Sequence, residues 1–157
     1  MGVVTQARLE EAPFPALLRA ARRSYGTAIR RALLGAGCED LPPNGPYVVG
    51  AVARSGVPLS EVIDGLGVSK QAVGHLVDTL VARGYLDRSA DPEDGRRLVV
   101  TLTERGHTAA TTVRAAVDQV DAQLDAAVGA EYVAHTRATL AALLMTENGE
   151  RPQGRHE

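Results

Sequence analysis

The stretch from Leu59 to Thr103 limits the fold more than any other part of the chain. Ser60 can cap a short helix over Glu61 to Leu66, with Val62, Ile63 and Leu66 on one side, and Gly67 is a natural left-handed stop. Ser69 then caps a second helix, Lys70 to Arg83, closed by Gly84. Within it Val73, Leu76, Val77 and Leu80 recur at three- and four-residue steps, the spacing of one buried helical stripe. Lys70, Gln71, Gly74, His75 and Asp78 gather on the opposite face. Tyr85 to Arg88 and Leu98 to Leu102 read as two strands, and ADPEDGRR between them is a turn by its Asp, Pro and Gly content. The expected unit is helix, tight turn, helix and a two-stranded ribbon.

The flanks read as helical support. Pro13 and Pro15 suit the first turn of a helix, where a missing N–H is harmless. Leu17, Leu18, Ala21, Tyr25, Ala28, Ile29, Ala32 and Leu33 then form an apolar stripe, with Arg19, Arg22, Arg23, Arg30 and Arg31 on the other face and Gly35 and Gly37 at the end. After the GCEDLPPNG loop, Asn44 is positioned to cap a short helix from near Pro46 to Arg54. Thr103 caps a long helix, with Glu104 at its positive end and Ala109, Val113, Ala116, Val120, Leu124 and Ala127 as a stripe of small apolar residues. Gly129 interrupts it, and a last helix over Glu131 to Met145 presents Val133, Leu140, Leu143 and Leu144. This divides the chain into an arm and helix over 1–40, the central unit over 41–103, further helices over 104–147 and a polar tail over 148–157 expected to be disordered.

Composition removes several function classes. The 157 residues suit one domain with helical extensions, and with no Trp and one Phe the core must come from Ala, Val, Leu and Ile. No apolar run is long enough to span a bilayer, and MGVVTQARLEEAPF lacks a signal-peptide layout, so a cytoplasmic location without a membrane partner is expected. One cysteine, Cys38, precludes an intramolecular disulfide. His75, His107, His135 and His156 have no metal-ligand spacing, no nucleophile elbow surrounds a Ser, and no Gly-rich phosphate loop follows a strand. The expectation is no enzyme, no cofactor and no metal. Net charge is only −2, but residues 1–35 carry six Arg against Glu10 and Glu11, whereas residues 107–150 carry two Arg against six acids, so the two ends are suited to pack on each other.

The central unit is the part with a reading of its own. A second helix after a short Gly-containing turn is a means of entering the DNA major groove, which is about 12 Å wide. Gln71 suits adenine, Lys70 suits guanine or phosphate, His75 can donate a hydrogen bond, and Gly74 brings the backbone close. Amides at the helix start, around Ser69, suit a phosphate. In the ribbon tip, Asp91 and Asp94 act as turn formers that can hold Arg96 by a charge-assisted bond, and an arginine so oriented fits the narrow minor groove, with Arg97 beside it.

These residues resemble the MarR family of winged helix-turn-helix regulators. The resemblance is carried by LSEVIDGLGVSKQAVGHLVDTLVARGYLDR and by DPEDGRRLVVTLTERG, in which Asp91, Asp94 and Arg96 match the family wing and Leu102, Thr103 and Gly106 its LT-x-x-G. It implies a mainly α fold with a small β-wing, a DNA-binding region between N- and C-terminal dimerisation helices, a homodimer, and a repressor that binds a pseudo-palindromic site on double-stranded DNA. It also implies a small-molecule effector, for which Tyr25 and Tyr47 are candidate pocket residues. Ala72, Gly74 and His75 stand where many relatives have Thr, Ser and Arg, and Gly95 where an extra wing Arg is common, so fewer direct contacts are implied. Two other readings use the same residues. One is a winged-helix module for a protein partner. The other is a thiol redox sensor through Cys38, which the neighbouring Glu39 and Asp40 disfavour by raising the thiol pKa.

Overall fold

Two helices ending in the same glycine cap set the frame of the molecule. The computed structural model describes residues 11–54, 69–90 and 98–149. They form α1 (Phe14–Gly35), α2 (Gly45–Ala53), α3 (Lys70–Ala82), β1 (Leu86–Ala90), β2 (Leu98–Leu102), α4 (Glu104–Val128) and α5 (Ala130–Gly149). The expected helix over 61–66 and the ribbon tip, with Asp91, Asp94, Arg96 and Arg97, lie outside the described residues. The chain divides after Asp118 into two compact units, so that α4 begins in the first and ends in the second.

At the end of α1, Gly37 takes φ +67°, the Gly37 amide donates to the Leu34 carbonyl and the Cys38 amide to the Leu33 carbonyl. At the end of α3, Gly84 takes φ +71°, the Gly84 amide donates to Val81 and the Tyr85 amide to Leu80. Both are Schellman caps, in which the residue after the left-handed glycine packs back on the last turn. Cys38 meets Leu33 and Tyr85 meets Leu80 in this way, and all four are buried. The consequence for sequence reading is a correction: Tyr85 belongs to the helix cap and not to a strand, so β1 starts at Leu86 and runs on to Ala90.

The core of the first unit is built from Leu33, Val48, Val49, Val73, Val77, Leu80, Tyr85, Leu86, Ala109, Ala110 and Val113, with Cys38 among them. The expected stripe of α3 is therefore the buried one, with Leu76 partly covered at its edge. The expected stripe of α1 is only half covered: Leu33 alone is fully buried, and Ala21 is exposed. Helix α2 begins at Gly45. Asn44 does precede it, but with φ +64° and no side-chain cap bond, so its role is a left-handed turn rather than an Asx cap. β1 and β2 pair antiparallel with Leu86 opposite Leu102 and Arg88 opposite Val100. Alternation then puts Leu86 inward, at the base of the ribbon, and leaves Asp87 outward.

β2 leads directly into α4 through a tight joint. The Thr103 amide donates to the Tyr85 carbonyl at 3.2 Å, its hydroxyl donates to the Gly84 carbonyl at 2.6 Å, and the same oxygen accepts from the Gly106 amide at 3.0 Å. A Cβ on residue 106 would stand 2.0 Å from the Tyr85 carbonyl oxygen. That is why Thr and Gly stand three apart here: one closes the helix start, the other lets two backbones touch.

In the second unit, Gly129 at φ +90° separates α4 from α5, its amide donating to Asp125 at 2.8 Å. Arg137 pairs with Asp121 at 2.6 Å, joining the two helices, while Arg114 of the first unit pairs with Asp118 one turn along α4. Asp118 thus pairs within its own helix and Asp121 with the helix that follows, uses the charge split along the chain did not anticipate. Val133 is buried, but Leu124, Val128, Tyr132, Leu143, Leu144 and Met145 are exposed. α5 continues through Gly149, two residues past the boundary expected for the tail.

Replacing Gly106 with Ala must push α4 off the Tyr85 carbonyl. We expect Gly106→Ala to destabilise the fold by about 2–3 kcal/mol, read as a lower urea midpoint with an unchanged slope.

Candidate nucleic-acid interface

Ser69 opens α3 with extended backbone, and its hydroxyl accepts the Ala72 amide at 3.2 Å. The hydroxyl hydrogen is left to donate outward. Because Val73, Val77 and Leu80 are locked into the core, the rotation of the helix about its axis is fixed, and Gln71, Ala72, Gly74, His75 and Asp78 are exposed. Among the described residues nothing lies within 4 Å of where a Cβ on Gly74 would stand, so none of them asks for glycine there. Lys70 is the first residue of the helix. The Thr79 hydroxyl is turned back to the His75 carbonyl at 2.8 Å, which keeps it off the surface the helix presents.

Asp78 continues the exposed row by one turn and is not free. Arg88 on β1 reaches across to it, N to O at 2.6 Å, and both side chains remain substantially exposed. The ion pair ties the middle of α3 to the first strand of the ribbon.

Beneath this surface, the base of the unit is held by a polar cluster at Tyr85. The Tyr85 ring is buried, and its hydroxyl donates to Asp40 Oδ1 at 2.5 Å. Arg105 donates to the same carboxylate at 2.8 Å and to the Arg83 carbonyl at 2.7 Å, with its guanidinium 4.3 Å from the Tyr85 ring centroid. Arg83 in turn donates to the Asp40 backbone carbonyl. The cluster thus joins the loop after α1, the end of α3 and the start of α4. The hydrogen bond from Tyr85 holds the Asp40 carboxyl below its ordinary 3.8 against the opposing effect of burial, with the Arg105 guanidinium adding to the depression. Burial, reinforced by that hydrogen bond, pushes the Tyr85 hydroxyl well above its ordinary 10.0. Sequence reading did not find this cluster. Asp40 and Arg105 are 65 residues apart, and Asp40 sits in a stretch legible only as a loop.

Of the other candidate residues, Tyr25 is half buried on α1 and Tyr47 is mostly exposed on α2. Cys38 is buried, its thiol donating to the Ala36 carbonyl at 3.6 Å, a setting suited to a small core side chain more than to a solvent-accessible sensor. Among the described residues, no three His, Cys, Asp or Glu are grouped to hold a metal ion, and no helix is long and apolar enough to cross a membrane.

A reading helix fixed by its core stripe, followed by a two-stranded ribbon and a Thr–Gly joint, is the arrangement of a winged helix, and residues 39–97 match the model of the MarR family. That match covers the winged-helix part of the chain, and the fold is that of MarR-family regulators. It agrees with solved members over most of their length. CouR from Rhodococcus jostii RHA1, solved bound to p-coumaroyl-CoA, shares 26% identity at a TM-score of 0.69, covering 88% of this chain and 95% of that one. A MarR-family transcriptional regulator from Rhodococcus sp. RHA1 shares 25% identity at a TM-score of 0.62, covering 81% and 89%. The transcriptional regulator Tm0710 from Thermotoga maritima shares 25% identity at a TM-score of 0.54, covering 88% and 98%. No curated protein matches the sequence. The likeness to MarR-family regulators supports a transcriptional regulator.

The two shifted groups set the pH limits of this MarR-family fold. A depressed Asp40 stabilises the folded state fully above its unfolded value of 3.8, and that contribution is lost as pH falls below it through the folded value. A raised Tyr85 contributes fully below 10.0 and is lost as pH rises from there toward its folded value. Urea midpoints across pH should therefore fall on both sides, with Asp40→Asn flattening the acid limb and Tyr85→Phe the alkaline limb. Tyr85→Phe should also lower stability near neutrality by about 1–2 kcal/mol, because the Asp40 carboxylate loses one of its donors and keeps Arg105.

Proposed function

We propose that this regulator is a homodimeric, sequence-specific repressor that binds a pseudo-palindromic site on double-stranded DNA and is released by a small-molecule effector. The observation that carries the reading is the exposed row of α3. Its buried stripe leaves Gln71, Gly74 and His75 facing outward from a helix start capped by Ser69. In this reading Gln71 and His75, with Lys70 before them, read base edges in the major groove, and Ser69 donates to a phosphate. Arg96, with Arg97 beside it and Asp91 and Asp94 orienting it, enters the minor groove.

Dimerisation is supported by apolar surface that one chain leaves uncovered. In the first unit these are Phe14, Leu34 and the half-covered stripe of α1; in the second they are Tyr132, Leu143, Leu144 and Met145. Large exposed apolar side chains in such number mark an interaction surface. A two-fold pair would set the two reading helices about 34–36 Å apart, one turn of DNA. An effector is supported by the likeness to CouR, whose structure holds an acyl-CoA thioester. Aromatic thioesters of that kind are the first ligands to assay, with Tyr25 and Tyr47 as the residues to vary.

Selection of bound sites from random duplex DNA tests the whole reading. The expected result is a two-fold-related site whose half-sites are one helical turn apart; recovery of no enriched sequence would dismiss sequence-specific binding. Gly74 gives a sharper check. Ala at 74 meets no atom of the described residues, so Gly74→Ala should stabilise α3 by up to about 1 kcal/mol while weakening binding to the selected site several-fold, since the added methyl stands in the groove. A variant that is more stable and binds equally well would remove Gly74 from the interface.

A further inference from the structure

Asp78 poses an electrostatic difficulty for a DNA-facing helix. It lies on the row of Gln71, Gly74 and His75, so a carboxylate is carried toward a polyanion. Within a Debye length of about 8 Å that repulsion is felt. The 2.6 Å pair with Arg88 relieves it, and the position of Arg88 suggests that relief is only half of its purpose. Arg88 is fixed along the ribbon by its register opposite Val100 and follows Leu86, which anchors the ribbon in the core. Its guanidinium therefore sits at the seam between α3 and the wing. A helix in the major groove and a wing in the adjacent minor groove must straddle the phosphate strand that divides the two grooves. The seam faces that strand. An arginine carries five N–H donors, and a single contact to Asp78 leaves others directed outward from a side chain that is 38% exposed.

We propose that Arg88, held in place by Asp78, is a phosphate-backbone contact seated between the reading helix and the wing. The proposal rests on the DNA-binding reading above and adds to it a cation outside the helix face and the wing tip. Arg88 contacts the backbone and carries no base preference; Asp78 is a positioning residue that orients the guanidinium and is screened by it.

The test is a salt series on the full-length protein. Binding to the selected site and to a random duplex is measured between 50 and 200 mM salt for the wild type, Arg88→Gln, Arg88→Lys and Asp78→Asn, with urea midpoints recorded for each. Loss of one phosphate contact lowers the slope of log affinity against log salt by about 0.9. Arg88→Gln should therefore bind both duplexes about ten-fold more weakly at low salt, and its deficit relative to the wild type should shrink about three- to four-fold over that range. Arg88→Lys should keep the wild-type slope, as should Asp78→Asn, which removes the brace but not the cation. If Arg88 only braces the wing, Arg88→Gln and Asp78→Asn will weaken binding alike with no change of slope, and the contact is refuted. A wild type whose binding is absent or independent of salt would instead overturn the DNA reading itself, and this contact with it.

Discussion

Everything in the first unit hangs on where Tyr85 is put. As the residue after the left-handed Gly84, it is folded back onto Leu80 by the cap of α3 and so enters the core. Its carbonyl then lies against Gly106 and accepts the Thr103 amide, which fixes where α4 starts. Its hydroxyl donates to Asp40, which fixes the loop that follows α1, and its ring underlies Arg105. One side chain thus sets the mutual placement of three helices and the root of the ribbon. A buried phenol needs a partner for its O–H, and a carboxylate at the edge of the core needs donors, so the two satisfy each other.

The reading surface is a consequence of that frame. α3 is held at its N-terminus by Ser69 and at its C-terminus by the Gly84–Tyr85 cap, and its rotation is set by Val73, Val77 and Leu80. With three constraints on a helix of 13 residues, the outward row cannot drift. The Asp78–Arg88 pair then links that row to the first strand of the ribbon. In the proposed DNA-binding reading, a fixed separation between helix and ribbon is what would convert weak contacts into a defined register.

The two units differ in how complete they are as single chains. The first closes a core around Tyr85. The second buries Val133 and holds Arg137 to Asp121, but leaves Tyr132, Leu143, Leu144 and Met145 in solvent. A pair of helices with this many large apolar side chains uncovered gains stability in water when something packs on it. This is the physical basis for reading the chain as half of an assembly.

Much of this was legible from residue order. The stripe Val73, Leu76, Val77 and Leu80, the caps at Ser69 and Thr103, the stops at Gly37, Gly84 and Gly129, and the strand Leu98 to Leu102 are all local signals, because capping, helical periodicity and left-handed glycines act within a few residues. The family resemblance, too, lay in contiguous motifs. Tyr85 marks the limit: its neighbours Leu86, Asp87 and Arg88 do form a strand, and only the 6→1 bond to Leu80 shows that Tyr85 itself closes a helix. Asp40, Arg105, Arg88 and Asp78 were beyond sequence reading for a different reason. Their roles are defined by partners on other elements, and such pairings come into being only when the chain has packed. By itself the sequence determined the helices α1 to α5, the glycine stops at Gly37, Gly84 and Gly129, and which face of α3 turns inward. Tertiary structure alone decided that a loop aspartate would secure the core tyrosine, and that an arginine of the ribbon would stand beside the reading helix, because contact across distant segments is a property of the packed core and not of any stretch within it.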